Sequence, residues 1–590
     1  MRNRKNLFVF LIVAVLCMVS TAGFAEADVA AENAATYGVA TLIPPVLAIV
    51  LAFATKNVVL SLFLGVFSGT IIVQLSGNNP FMAVIKGFFG FISVALDSLA
   101  DPWNAGIVLQ VLTIGGLIAL ISRMGGAKAV AEALAKKAKS PRSAQLITWI
   151  LGLIVFFDDY ANSLIVGPIM RPVTDKMRVS REKLAFIIDG TAAPIAGLAL
   201  VSTWIGYELS LIRDGFELVG ETVNPYGIFL STIPYRFYNI FMLAFILLTI
   251  LMLREFGALY KSERRSRIKG QVLRPGSSPM VSTELDALEP KPGTKLNVWN
   301  AIIPILVLML GSLVGFYYDG YITIMDGDNQ ALIDAIKASP VSFMAIRETF
   351  GEADASVVLF QAALVASIVA MFMGVAQKIF TLKESIDIWI EGMKSLMITG
   401  VILILAWSLS GVIKELGTAV FLIDILRNAP EAVLKSLGFL LPGIIFILGA
   451  VISFATGTSY GTMGILMPLA IPLAFSISPD HGYIVMAVGA VLTGAIFGDH
   501  CCPISDTTIL SSMGAACDHI DHTRTQFGYA LVVSAISIVF GYILTGLGVP
   551  VGIALILGIA AMFILLKVVG KSVDYDVSEM ENLDISPEEQ

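Results

Sequence analysis

Charged residues in this 590-residue chain collect in short loops, and between the loops run apolar stretches close to the length that crosses a lipid bilayer. They occupy residues 38–55, 58–75, 105–122, 184–201, 237–253, 298–317, 355–377, 396–413, 483–497, 527–547 and 551–568. A helix needs about 20 apolar residues to span the hydrocarbon. The chain is 56% hydrophobic and only 14% charged, against roughly 45–50% and about 25% in soluble domains. Water could not hide that much apolar surface. The pattern predicts an all-α polytopic protein of a bacterial plasma membrane, the inner one in a Gram-negative cell, with the lipid bilayer as its solvent. A net charge of -7 gives no reason to expect nucleic acid as a partner. The four cysteines, Cys17, Cys501, Cys502 and Cys517, are too few and too apolar in setting for a disulfide framework.

Basic, apolar and small-residue regions follow one another over residues 1–27, the order of a signal peptide or of a first membrane helix. Lys and Arg then orient the chain, because cytoplasmic loops are enriched in them. Residues 123–142 hold six basic residues against one acidic, residues 171–183 hold five basic, and residues 254–274 hold seven. Residues 319–354 hold seven acidic residues against Lys337 and Arg347. The first three loops should be cytoplasmic and the last external. Residues 81–96 are amphipathic enough to lie at an interface, where they could also carry a homodimer contact.

Residues 144–170 lie between two cytoplasmic-looking loops, yet 27 residues cannot cross twice at about 1.5 Å each. A re-entrant hairpin with its tip at 157–163 satisfies both constraints. In the second half, residues 437–477 repeat this from the other side, turning at 454–460. Trp204 follows Phe157 by 47 residues and Cys501 follows Phe454 by 47, and each falls in a break-rich helix. The predicted fold is therefore an inverted-topology repeat with two re-entrant helical hairpins and two broken helices, the layout of a secondary transporter. Its halves would be 38–253 and 298–568, joined by a polar cytoplasmic linker at 254–297 and followed by an acidic cytoplasmic tail at 569–590.

Polar residues inside the apolar segments form four clusters. The first includes Asp158, Asp159 and Asn162 at the first hairpin tip. An unpaired Asp at the bilayer centre costs roughly 2.5–3.5 kcal/mol on insertion scales, so two in succession call for water, a cation or a proton. The second has Asp189 and Thr191 beside Gly190 and Pro194, whose opened helix ladder frees carbonyls for a hard cation, and Glu208 further on, either interfacial or in the pathway. The third, Thr456, Thr458 and Ser459 at the second tip, is uncharged and suits neutral coordination, a gate or helix-packing glue. The fourth runs from Asp499 through His500, Cys501 and Cys502 to Ser505, Asp506 and Thr507. Its oxygens fit Na⁺ at the carboxylates better than a transition metal, and adjacent cysteines space poorly for tetrahedral zinc. Downstream, His519 and His522 fall at a predicted cytoplasmic helix end, as pH sensors or as part of a solvated loop.

The sequences Phe157-Asp158-Asp159-Tyr160-Ala161-Asn162, Asp189-Gly190-Thr191-Ala192-Ala193-Pro194 and Gly498-Asp499-His500-Cys501-Cys502-Pro503-Ile504-Ser505-Asp506-Thr507-Thr508 resemble the NhaC-type Na⁺/H⁺ antiporter family of the ion transporter superfamily. The resemblance covers about residues 43–568, with Cys502 standing where many relatives carry Ser. It implies exchange of cytoplasmic Na⁺ for external H⁺, with no cofactor and no enzymatic activity. Asp158 and Asp159 would carry protons in competition with Na⁺, while Asp189, Thr191, Asp499, Ser505, Asp506 and Thr507 shape the cation site. The alternative is a Na⁺- or H⁺-coupled carrier of organic anions or of drugs, as in tetracycline efflux. An intramembrane enzyme using the Asp158–Asp159 pair, or His500 with Cys501, gains nothing from two mirrored hairpins, and no selectivity-filter sequence marks a channel.

Overall fold

The computed structural model describes residues 29–574 apart from 56, 76, 157–158, 201, 280–293, 328, 428–429 and 504. The 1–27 segment, Asp158 and most of the acidic tail lie outside the described residues. Those described hold 11 helices long and apolar enough to cross a membrane. In the first half run α1 (Ile43–Thr55), α2 (Val58–Leu75), α3 (Pro80–Ala100), α4 (Pro102–Arg123), α5 (Pro141–Ile154), α6 (Asp159–Lys176), α7 (Arg181–Ala196), α8 (Ile205–Glu217), α9 (Phe237–Met252) and α10 (Gly257–Lys269). The second half holds α11 (Trp299–Met325), α12 (Ala355–Ala376), α13 (Met397–Glu415), α14 (Glu431–Thr456), α15 (Ser459–Ile477), α16 (His481–Cys501), α17 (Asp506–Ala515), α18 (His519–Ile536) and α19 (Val551–Val568). Shorter helices fill the connections. The protein is a multi-pass integral membrane protein.

The segment expected at an interface, 81–96, is instead part of α3, whose 21 residues make it about 31 Å long and able to cross. Pro80 at its first turn and the Asn79 side chain, which accepts from the Met82 N–H, start the helix earlier than the apolar run does.

Two helical hairpins stand out. Ser140 and Ser143 cap α5 reciprocally, and the chain turns between Val155 and Asp159 into α6. With 14 residues, α5 is about 21 Å long, short of the hydrocarbon thickness. The second hairpin turns at Gly457, in a left-handed conformation, and Thr458, which caps α15. Its arms are longer, 26 residues in α14 and 19 in α15, so the two hairpins differ more than the sequence expectation had them. Both second arms carry the same pair of prolines, Pro168 and Pro172 in α6 and Pro468 and Pro472 in α15. Each hairpin is followed by a helix that stops and restarts: α7 and α8 around 197–204, and α16 and α17 around 502–505.

The halves pack by exchange. The α5–α6 hairpin rests on α7 of its own half and, through α6, on α17 of the other. In the same way α14–α15 rests on α16 of its own half and, through α15, on α8 of the other. At the α6–α17 crossing Gly167 meets Gly514 so closely that a Cβ on Gly167 would lie 2.5 Å from the Gly514 carbonyl carbon. Only a small residue permits that approach.

Ion pairs brace the outer ends of this core. Arg236, at the start of α9, is fully buried against Glu208 on α8, at 2.7 Å, and also donates to the Gly197 carbonyl and to Thr232. Glu208 is thus not interfacial but half of a buried pair. At the opposite end Lys183 meets Glu255 at 2.7 Å, and Arg265 of α10 holds Glu182 at 2.9 Å. Burial pushes the Glu182 and Glu255 carboxyls up, and the neighbouring Arg265 and Lys183 pull them back down. The first half of the polar 254–297 segment is therefore packed structure. A strand β1 (Arg254–Glu255) pairs antiparallel with β2 (Lys571–Ser572), and Arg274 bonds Asp521 at 2.9 Å. These contacts gather the basic loops, the linker and the beginning of the tail on one face, the cytoplasmic one by the excess of Lys and Arg.

Replacing Arg236 by Met leaves Glu208 buried and unpaired, and should cost about 3–5 kcal/mol. The double variant Arg236→Met/Glu208→Met should recover most of that loss, read as denaturant unfolding of the purified protein in detergent.

Candidate functional site

The hairpin tips and the helix breaks meet in the middle of the molecule. Asp159 opens α6 and is buried, accepting from the indole N–H of Trp204 at 3.3 Å. Trp204 lies in the first break and stacks near Tyr460 of the second hairpin, with ring centres 5.1 Å apart. Tyr207 packs on the same ring and donates to the Tyr460 carbonyl. The tip of the second hairpin is thus held by the break of the first half.

On the other side of Tyr460, Ser459 donates to Asp499 Oδ2 at 2.8 Å, and Ser505 donates to Asp499 Oδ1 at 2.5 Å. Thr507 shares a hydrogen bond of 2.9 Å with Ser505. Asp499 sits in the last turn of α16, with Ser505 immediately after the break, so the interruption of the helix is what lets both reach one point. Thr508, one turn into α17, donates to the Asp499 and His500 carbonyls at 3.2 Å each. Asp506 opens α17, and its side chain lies outside the described residues. The carboxylate and three hydroxyls form an oxygen-rich, uncharged-walled group of the kind a hard monovalent cation takes.

Asp189 lies on α7, fully buried, and is an electrostatic neighbour of Asp499. Gln526 of α18 donates to its Oδ2 at 2.7 Å, and the His522 Nε2 stands 3.7 Å from the same oxygen. Its Oδ1 has no hydrogen-bond partner among the described residues. A buried carboxylate so sparsely solvated is stabilised by binding a proton or by a protonated neighbour. Asn162 ties α6 to this region, donating to the Gly152 and Thr191 carbonyls at 2.9 Å each, and Ser163 meets Ser511 of α17 at 2.9 Å.

The structure therefore gathers Asp159, Asn162, Asp189, Ser459, Asp499, Ser505 and Thr507 around the tips and breaks. Thr191, Thr456 and Thr458 are placed differently. The Thr191 hydroxyl bonds its own helix at the Ile187 carbonyl, Thr456 does the same at Ile452, and Thr458 caps α15. The carbonyls freed by the first break are also occupied: Asn239 takes that of Pro194, Ser202 that of Ala196 and Arg236 that of Gly197. The reading of those carbonyls as ready cation ligands is thereby replaced by one in which side chains cap a stable break.

Two residues of this region carried no functional weight in the sequence. Gln526 and Tyr238, which bonds the His500 Nδ1 at 3.1 Å, sit in apolar helices with no local signal. His522 reads in the sequence as a pH sensor or as part of a solvated loop; it is fully buried on α18, not in a solvated loop. Its spacing of four from Gln526, one helical turn, puts both on one face of α18.

The arrangement of paired hairpins and broken helices around buried acids defines a multi-pass secondary transporter. The chain matches the model of the Na⁺/H⁺ antiporter family over residues 6–199 and 195–547, and it belongs to that family. An uncharacterized protein of Haemophilus influenzae is 33% identical over 509 residues, which cover 86% of this chain and 90% of that one. The malate-2H⁺/Na⁺-lactate antiporter of Bacillus subtilis is 33% identical over 101 residues, 16% of this chain and 21% of that protein. Among solved structures, the YdaH transporter of Alcanivorax borkumensis overlays at a TM-score of 0.49 and 14% identity, covering 79% of this chain and 90% of that one.

Ser459→Ala and Ser505→Ala each remove one charge-assisted hydrogen bond to Asp499 and one oxygen from the group. Each should weaken binding of a monovalent cation at Asp499 about tenfold or more, read as the half-saturating concentration in a cation titration of membrane vesicles bearing the protein, since such a bond contributes about 1.5–3 kcal/mol. Thr191→Val, at a hydroxyl engaged with its own helix, should leave the half-saturating concentration unchanged.

Proposed function

We propose that the protein exchanges cytoplasmic Na⁺ for external H⁺, with the two ions on adjacent carboxyls. Na⁺ is held at Asp499 by the carboxylate and the Ser459, Ser505 and Thr507 hydroxyls, and the proton is carried on Asp189. The observation that carries this reading is the contrast between the two acids. Asp499 accepts a hydroxyl hydrogen bond on each oxygen. Asp189, with the Gln526 amide at Oδ2, the His522 ring 3.7 Å away and the Thr508 and Ser511 hydroxyls nearby, keeps an Oδ1 with no hydrogen-bond partner among the described residues. Because the acids are electrostatic neighbours, a Na⁺ ion beside Asp499 favours loss of the proton from Asp189, and protonation of Asp189 favours release of Na⁺. One positive charge at a time is the stable loading, which couples the two fluxes. Asp159, under Trp204 at the meeting of the two halves, is an additional proton-carrying group in this scheme.

Everted membrane vesicles test it. Added Na⁺ should dissipate a preformed proton gradient in vesicles bearing the protein, and Asp499→Asn or Asp189→Asn should abolish the effect while the protein remains in the membrane. An undisturbed gradient with wild-type protein would end the antiport reading.

The likeness to a malate–lactate antiporter favours a second reading, in which a small organic anion accompanies the ions. A panel of carboxylates in the same vesicles separates the two. Dissipation by Na⁺ with a non-transported anion belongs to simple exchange, and dissipation only with one carboxylate present belongs to the second.

A further inference from the structure

Between α11 and α12 the chain forms two short helices, Gln330–Ala338 and Phe343–Glu352, that have no part in the exchange scheme. Their setting follows from α11. Asn300, in its first turn, donates to the Met124 carbonyl at 3.1 Å, so α11 starts at the face that carries the basic loops. From Trp299 to Tyr318 it has no charged side chain, a length of about 30 Å that matches the hydrocarbon thickness. Its first charge is Asp319, which accepts from the Asp354 N–H at 2.7 Å. Tyr317, Tyr318 and Tyr321 flank that point, and tyrosine is a residue type enriched where a bilayer meets water. The far membrane boundary therefore crosses α11 near Tyr317–Asp319. Leu310, Val314, Tyr318 and Ile322 recur every four residues and are all exposed, so one stripe runs up the helix through this boundary.

The two short helices fold back along the end of α11. Ile333 and Ile336 of the first and Ala345 of the second bury against Ile324. The Thr349 carbonyl lies so close over Gly320 that no Cβ would fit between them, and Phe350 meets Phe316 with ring centres 5.6 Å apart. The turn between the helices is tied as well, because the Tyr317 hydroxyl donates to the Pro340 carbonyl at 2.7 Å. That bond sets the turn at the level of the tyrosines. Gln330 and Asp334, earlier in the first helix, expose polar groups. The turn exposes apolar ones: Val341, next to the tethered carbonyl, is 83% exposed, and Met344 is exposed with it. Water gives that surface no favourable partner, whereas at a membrane boundary apolar side chains settle between headgroups and acyl chains.

We infer that the 330–352 hairpin is an interfacial contact, with Val341 and Met344 set among the lipids of the leaflet opposite the basic loops. Lipid is the occupant because the turn continues, at the same level, the exposed stripe whose lower members Leu310 and Val314 lie within the charge-free span of α11. Nothing in this depends on which ions the protein exchanges.

The test places single cysteines at Val314, Gln330, Val341 and Met344 of the full chain and attaches a nitroxide spin label to each. In proteoliposomes the labels are read by collision with O₂, which concentrates among acyl chains, and with a water-soluble nickel chelate. Cys501, Cys502 and Cys517 are buried, and wild-type protein taken through the same labelling gives the background of the native cysteines. Val314 is the reference for hydrocarbon and Gln330 the reference for water. Labels at Val341 and Met344 should collide more with O₂ than the Gln330 label does, and their nickel rates should fall towards that at Val314. Nickel rates equal to that at Gln330 would put the turn in water and overturn the inference. Shielding from both reagents would overturn it too, since that is the mark of cover by protein, such as a second copy of this chain.

Discussion

A charge taken out of water must be met by an opposite charge, a proton or an array of oriented dipoles, and this structure sorts its buried acids by which of the three they receive. Glu208, Glu182 and Glu255 receive a basic partner apiece, in Arg236, Arg265 and Lys183. Asp499 receives hydroxyls, and Asp189 receives an amide and an imidazole. The first group is fixed, because separating a buried pair strands a charge. The second has no fixed basic partner, and in the proposed exchange that difference separates framework from site.

Framework and site are also separated in space. The permanent ion pairs lie towards the ends of the helices, at the start of α9 and where α10 meets α7. The exchangeable acids lie between them, where hairpin tips and helix breaks converge. Helix breaks free backbone groups, and here side chains such as Asn239, Ser202 and Thr508 take them up, so the irregular backbone persists without needing an ion to complete it.

Much of this was legible in the residues. Apolar length, the Lys and Arg count and the 27-residue limit on 144–170 led to the two pairs of helices joined by tight turns, although in the second pair each arm is long and apolar enough to cross, and the 47-residue spacing led to the breaks. Asp159, Asn162, Asp189, Ser459, Asp499, Ser505 and Thr507 all lie where the polar clusters placed them. What stayed hidden depends on partners distant in the chain. Nothing near Arg236 announces Glu208, and a run of Cys, Asp and His before α18 looks solvated until Gln526 and Ser512 are seen to enclose His522. The hydroxyls of Thr191 and Thr456 were misjudged because a threonine in a helix has a nearby alternative, the carbonyl one turn back. The paired prolines of α6 and α15 were a sign of the repeat that apolar counting passes over.

Because each hairpin leans on the second piece of the other half's broken helix, the buried acids are held by both halves: Asp499 and its hydroxyls come from the second, Asp159 and Asp189 from the first. Asp189 of the first half is served by Gln526 and His522 of the second, and Trp204 of the first half grips Tyr460 of the second. In topological terms the molecule is a domain-swapped pair of half-length units written as one polypeptide. Severing it within 280–293 would leave two fragments that have to find each other in the bilayer, and a change at one crossing, such as Gly167 against Gly514, has to be answered by the residue facing it from the other unit.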